Sequence, residues 1–298
     1  MRNLKFTIVI ISILLISANL QAQKFYITAG GGYAFNMNAQ KGWFANSKRE
    51  RTNNYVTGNS SSTNTQEGVN FGLGKGVSFG GSVGYMFNDY LGLDLGFNYL
   101  YGAETNSEQS FHRKVFYSSG TEDYYEVSKN KLYARMFSVT PSILITPNFE
   151  KFNPYLKLGV VLGFGSLYWE SNSESSSTGQ VTPTYSTNSS ILKFNGGLAF
   201  GMNASVGAEY NLTENLGIFG ELQLIGMNYS PKKMVTTKST KNGVDQLPNM
   251  TTYEKETEFS KTITVTNAPR NDDKPRQDLL FSYPFSSIGF NIGVKYNF

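Results

Sequence analysis

GFNIGVKYNF, residues 289–298, alternates residue by residue. Phe290, Ile292, Val294, Tyr296 and Phe298 are apolar or aromatic, whereas Gly289, Asn291, Gly293, Lys295 and Asn297 are small or polar. Period two marks an extended strand whose two faces meet different surroundings. The type of polar residue then decides the fold. A soluble sandwich exposes its polar face and fills it with Lys, Glu and Thr. Gly and Asn with a single Lys suit a narrow, crowded interior, which makes the apolar face the outer one.

Seven further segments carry the same pattern. They are Phe25 to Phe35, Val77 to Phe87, Leu91 to Tyr101, Phe137 to Ile145, Leu156 to Gly165, Phe194 to Tyr210 and Leu216 to Leu224. In the last of these Phe219 and Ile225 fall on the polar face. Segments of about ten residues with alternating apolarity are the signature of membrane-spanning strands. The expected fold is all-β: an eight-stranded antiparallel up-and-down transmembrane β-barrel with long extracellular loops.

The composition agrees. Of 298 residues only 16% are charged, while aromatics reach 14%, with 30 Gly, 19 Tyr and 22 Phe. A soluble domain has about a quarter of its residues charged. A net charge of +4 gives no reason to expect a nucleic-acid partner. The absence of Cys excludes disulfides and thiolate metal sites, and one His disfavours a transition-metal centre. No cofactor is expected.

The start, MRNLKFTIVIISILLISANLQAQ, places Arg2 and Lys5 before an apolar run from Phe6 to Ala18. That run is shorter than the ~20 residues that span a bilayer, so residues 1–22 read as a signal peptide cleaved after Ala22. The remainder, 23–298, reads as one outer-membrane domain, with no further domain expected after Phe298.

Connections alternate in length. Asn88-Asp89, Pro147 to Pro154 and Asn211 to Asn215 are short. The others, about 36–76, 102–131, 166–191 and 230–284, are long. Short turns on one side and long loops on the other set both termini on the periplasmic side. NNYVTGNSSSTNTQ (53–66) and SNSESSSTGQ (171–180) read as mobile loops. The second long loop reads as a hairpin around Ser119-Gly120, and TEFSKTITVTNA in the fourth alternates as a strand. Strands three, four, seven and eight are therefore expected to extend beyond the membrane. Tyr99, Tyr101, Tyr133 and Trp169 are expected in an outer aromatic girdle.

The signal peptide, the eight segments, the loop asymmetry and the terminal phenylalanine together resemble the small outer-membrane β-barrels of Gram-negative bacteria. These include the transmembrane domain of outer membrane protein A and outer membrane proteins X and W. The resemblance covers residues 23–298. It implies that Phe290, Ile292, Val294, Tyr296 and Phe298 form the assembly signal recognised by the barrel-assembly machinery. It also implies residence in the outer membrane among lipopolysaccharide, as a monomer.

The inward parity collects Asp94, Lys157, Glu209, Glu221 and Lys295, with Lys193 near the outer mouth. Charges in a narrow lumen must pair or stay hydrated. Strand adjacency suggests Glu221 as the partner of Lys295. A polar, salt-bridged plug and a narrow solute conduit are the two readings of this set. Lipid A-modifying barrels of this size use His with Ser and an acid; His112, with Ser110 two residues before it, is all that this chain offers towards what that resemblance would imply. Asp272-Asp273 is the nearest pair for Ca²⁺, but lacks a spaced acidic loop. SKRER (47–51) is the stretch suited to lipopolysaccharide phosphates. The leading function is non-enzymatic: structural, or adhesion to an extracellular ligand or host surface. A porin-like channel resembling outer membrane protein W is the alternative, and a lipid A-modifying enzyme the third.

Overall fold

The computed structural model describes residues 25–37, 39–147, 149–179, 183–264 and 269–298, without the side chains of 39–43. The expected signal peptide lies outside the described residues. The described residues are mostly strand. A ring is formed by β1 (Phe25–Asn36), β4 (Gly76–Met86), β5 (Leu91–Gly102), β7 (Gly120–Ile145), β8 (Phe152–Thr178), β10 (Leu198–Asn211), β11 (Leu216–Tyr229) and β17 (Ser287–Asn297). Each pairs antiparallel with the next. The last pairs with the first from Tyr26↔Asn297 to Asn36↔Ser287, so the ring has no open edge.

The quoted ending is β17, and its parity holds around the whole ring. Phe79, Phe97, Leu158, Phe200, Leu222 and Ile292 are among the many large apolar side chains left exposed. Their neighbours Ser82, Asp94, Asn203 and Glu221 are buried. A continuous apolar belt of this kind is the surface that lipid, not water, covers. The short connections sit at one end. Asn88 holds the first, Oδ1 accepting from the backbone N–H of Tyr90 and Leu91 at 2.9 Å each, in a turn spanning Phe87 to Tyr90.

The long connections are largely strand, continuous with the ring strands in one sheet, and are here called the crown. β2 (Ala39–Asn54) and β3 (Asn59–Phe71) form a hairpin. β6 (Thr105–Tyr117) pairs with β7 and, in parallel, with β2. β9 (Thr184–Asn195) pairs with β8 and with β12 (Lys233–Lys241), and β13 (Val244–Asp245), β14 (Glu256–Ser260), β15 (Arg276–Leu279) and β16 (Tyr283–Pro284) complete the order. The Ser/Thr/Asn stretches expected as mobile are therefore mostly strand: 59–66 in β3 and 171–178 in β8. Polar composition misled there, because pairing with β2, β7 and β9 supplies the backbone bonds that composition alone does not reveal.

The hairpin at Ser119-Gly120 is present, with Tyr117 opposite Gly120. The strands that run furthest beyond the ring are β7 and β8, of 26 and 27 residues: the fourth ring strand extends as expected, but its companion is the fifth and not the third, seventh or eighth. A tilted spanning strand needs only about 9–11 residues. The Phe194 to Tyr210 segment is broken in two. Gly196 takes φ +79°, a left-handed value that suits glycine, and the chain turns from β9 in the crown to β10 in the ring. Phe194 is consequently buried, 6.2 Å from Phe259 and 5.9 Å from Tyr283 between ring centres, and does not face lipid.

The apolar core fills the crown end of the ring. Leu100, Met136, Val161, Ala199 and Met227 point inward from five ring strands beneath Phe44, Phe71, Leu132, Leu167, Tyr229 and Phe285. Trp169 packs against this core, so it is not a headgroup anchor. Tyr101 remains exposed, and Tyr133 stacks on Tyr168 at 5.2 Å while donating to Glu170 at 2.8 Å.

Candidate functional site: the charged lumen

The alternation that turns apolar residues outward sends five ionisable side chains into the ring: Asp94, Lys157, Glu209, Glu221 and Lys295. Three of them, Asp94, Glu209 and Glu221, are at most 7% exposed. Buried carboxylates demand compensation. Lys157 Nζ lies 3.3 Å from Asp94 Oδ1 and 3.5 Å from Glu221 Oε2, bracketed between β5 and β11. Lys295 Nζ donates to Glu209 Oε2 at 2.7 Å and sits 4.4 Å above the Tyr26 ring.

Lys295 therefore pairs with Glu209, and not with Glu221. The register is the reason. Glu221 stands opposite Asn291, four residues along β17 from Lys295, a separation of about 13 Å at strand rise. Lys295 faces Gly217 instead, and Gly217 faces Asn211, two residues from Glu209. With no side chain at Gly217, the lysine reaches over β11 to β10.

The same device recurs twice. Tyr26, Gly84 and Asp94 lie in register on β1, β4 and β5, and the Tyr26 hydroxyl crosses Gly84 to donate to Asp94 Oδ2 at 2.7 Å. Tyr155, Gly207 and Glu221 lie in register on β8, β10 and β11, and Tyr155 crosses Gly207 to donate to Glu221 Oε2 at 3.2 Å. A Cβ at Gly84 would stand 1.9 Å from Tyr26 Cζ, and one at Gly207 2.6 Å from Tyr155 Cζ. The inward glycines are thus gaps across which longer side chains reach partners two strands away. Ser82 Oγ also donates to Asp94 Oδ2 at 2.7 Å and bonds Thr28 Oγ1 at 2.8 Å.

Neither tyrosine was singled out by charge counting, yet both were legible. Tyr26 sits between outward Phe25 and Ile27, and Tyr155 has inward parity next to Leu156. Phe219, the apparent exception on the polar face, lines the lumen below Glu221, and Ile225 packs under the apolar core.

The lumen is layered. At the turn end a vestibule of about 1020 Å³ is lined by Tyr26, Asn153, Tyr155, Glu209, Asn211 and Lys295. Above Lys157 a polar cavity of about 100 Å³ is lined by Asn98, Thr140, Asn203, Ser205, Gln223 and Asn291. Above that, Leu100, Met136, Val161, Met227 and Phe285 leave about 30 Å³.

The remaining candidates fall in the crown. Lys193 is on β9 with Nζ 5.8 Å from the Tyr168 ring centre, not in the lumen. His112 is on β6, its Nε2 2.5 Å from Asp123 Oδ1. Asp272 Oδ1 is held by Arg270 Nε at 2.5 Å, and within SKRER Lys48 pairs with Glu50 at 2.9 Å. Burial, and then the hydrogen bond from its hydroxyl to Glu126, raises the crown Tyr124 phenol above its ordinary range.

No curated protein sequence matches the chain. Among solved structures, Acinetobacter baumannii CarO aligns at 14% identity and a TM-score of 0.27, over 74% of this chain and 92% of its own. Acinetobacter baumannii CarO2 aligns at 13% and 0.26, over 92% and 99%. The outer membrane protease OmpT from Escherichia coli aligns at 11% and 0.25, over 95% and 100%. The family described as outer membrane protein beta-barrel domain matches residues 9–247, most of the chain. With that match and a closed, apolar-belted ring of strands, the chain belongs to the outer-membrane β-barrel protein family of the bacterial outer membrane.

Proposed function

We propose that this protein is a non-enzymatic, eight-stranded transmembrane barrel whose lumen is closed and whose crown is displayed outside the cell for surface interaction. Both termini and the short turns then face the periplasm. The observation that carries this reading is the pair of layers set across the lumen. The Asp94–Lys157–Glu221 bridge crosses it, and the apolar layer of Leu100, Met136, Val161, Met227 and Phe285 seals it towards the crown. The space left there is only about 30 Å³. An eight-stranded barrel is just wide enough for its own side chains to fill.

The crown supplies the surface. Its strands extend well beyond the lipid-facing belt, and the edge strand β3, paired with β2 alone among the described strands, is exposed at every residue from 59 to 68. Such an edge is suited to strand addition by an extended partner. A narrow conduit is the second reading, favoured by the wide vestibule and the polar cavity above it. Planar-bilayer recording separates the two. The expected result is no steady conductance from the wild type or from Glu221→Gln. Steady single-channel openings that change in Glu221→Gln would overturn the closed reading. His112, the one candidate base of the enzymatic reading, lies on a crown strand away from the belt. Lipid A mass spectra are expected to be unchanged in a His112→Ala strain.

A further inference from the structure

The outward parity of the ring strands does not stop where the apolar belt stops. Phe137, Phe164 and Leu198, in register on β7, β8 and β10, are its last exposed apolar residues on that side. One outward position nearer the crown, Arg135 stands between Tyr101 on β5 and Ser166 on β8. One position further, Tyr133, Tyr168 and Lys193 stand in register on β7, β8 and β9. Arg135, Tyr133, Tyr168 and Lys193 are all partly exposed.

These side chains form one continuous stack. The Arg135 guanidinium carbon lies 3.4 Å from the Tyr101 ring centre and 4.8 Å from that of Tyr133. Tyr133 stacks on Tyr168 at 5.2 Å, with 12° between the ring planes, and Lys193 Nζ ends the row 5.8 Å from the Tyr168 ring centre. Arg135 Nη1 donates to the carbonyls of Gly102 and Ala134 at 2.9 and 2.8 Å, which fixes the guanidinium against Tyr101. Among the described residues Nε and Nη2 have no acceptor, and no carboxylate pairs with Arg135 or Lys193. The acids beside the stack are engaged: Glu170 accepts from the Tyr133 hydroxyl, and Glu104 pairs with Lys131. A cation on a lipid-facing strand is costly at mid-membrane and tolerated only near the interface. Two cations without carboxylates, set directly above an apolar belt, therefore match anionic headgroups. Their Cα atoms lie two strands and one outward position apart, about 12 Å at standard sheet spacings.

We propose that this stack binds the headgroup of an outer-leaflet lipid carrying two phosphates, one on the Arg135 fork and one on the Lys193 ammonium, as the diphosphorylated disaccharide of lipid A would present them. Arg engages phosphate through paired N–H donors and Lys as a point charge. The assignment to the outer leaflet rests on the crown lying outside the cell.

The test is native mass spectrometry of the full chain in maltoside micelles, titrated with diphosphoryl lipid A, monophosphoryl lipid A and phosphatidylglycerol, with inorganic phosphate as competitor. One diphosphoryl lipid A per chain is expected, with the other two lipids at least about tenfold weaker and no displacement by phosphate. Lys193→Gln and Arg135→Gln should each weaken diphosphoryl lipid A about tenfold, and Arg135→Lys, which keeps the charge but loses the fork, should fall between. Lys48→Gln, in the crown, should bind as the wild type does. Heat-modified gel migration reports folding, and Lys193→Gln, which removes no bond to the backbone, decides the matter if Arg135→Gln does not fold. Equal binding of the two lipid A forms would overturn the proposal, as would phosphatidylglycerol binding as tightly, displacement by inorganic phosphate, or unchanged affinity in Lys193→Gln. None of these measurements depends on which way the crown faces, and labelling of the crown on intact cells tests that orientation separately.

Discussion

Lys157→Met tests the lumen most directly. Lys157 bridges Asp94 at 3.3 Å and Glu221 at 3.5 Å, and both acids are more than nine-tenths buried. At an effective dielectric of about 20, each contact amounts to roughly 4–5 kcal/mol of Coulomb attraction, mostly offset by desolvation of the three charges. Methionine keeps the length of the stem and removes the cation. Among the described residues Asp94 then retains Tyr26 and Ser82 as donors, and Glu221 retains Tyr155. Breaking a buried pair from one side costs about 3–5 kcal/mol, and the wide vestibule below argues for the lower end. The expected loss is about 3 kcal/mol in urea unfolding of the protein from lipid vesicles. The triple variant Lys157→Met, Asp94→Asn, Glu221→Gln removes the stranded charges and should recover most of that loss. A loss below about 1 kcal/mol in Lys157→Met, or no recovery in the triple variant, would refute the bridge as the central support of the lumen.

Three other outcomes follow from the same geometry. Gly84→Val should displace the Tyr26 ring, whose Cζ lies 1.9 Å from the new Cβ, and cost about 1–3 kcal/mol by overpacking, while Gly226→Val, with open space at its Cβ, should not. Ile292→Lys, at the middle of the exposed face of β17, should cost about 2–4 kcal/mol in lipid vesicles. Near-equal stability there would contradict a lipid-facing β17. Phe298→Ala should slow assembly into vesicles in the presence of the assembly machinery while leaving the urea midpoint of the folded protein nearly unchanged. Phe298 meets Tyr296 edge-on at 5.2 Å, and its backbone N–H to the Phe25 carbonyl survives the change.

Period-two alternation is a local property, so the sequence by itself determined the ring strands and which way their side chains point. GFNIGVKYNF became β17, with Phe290, Ile292 and Val294 on the exposed belt and Lys295 turned inward. The one ring segment whose start was misread, at Phe194, contains Gly196, whose positive φ ends the alternation without changing the composition. Only the tertiary structure decided which charges meet. Ion pairing across a ring depends on the register of three strands at once. It also depends on whether the middle strand carries a side chain, as Gly217 shows between Lys295 and Glu209. The crown was equally beyond local reading. Strands rich in Ser, Thr and Asn, such as β3 and the far end of β8, carry no alternation of their own and are ordered by the partners beside them. The proposed closure towards the crown rests on Leu100, Met136, Val161 and Met227. Each is a single inward apolar residue on its own strand, and they become a seal only where four strands bring them to one level.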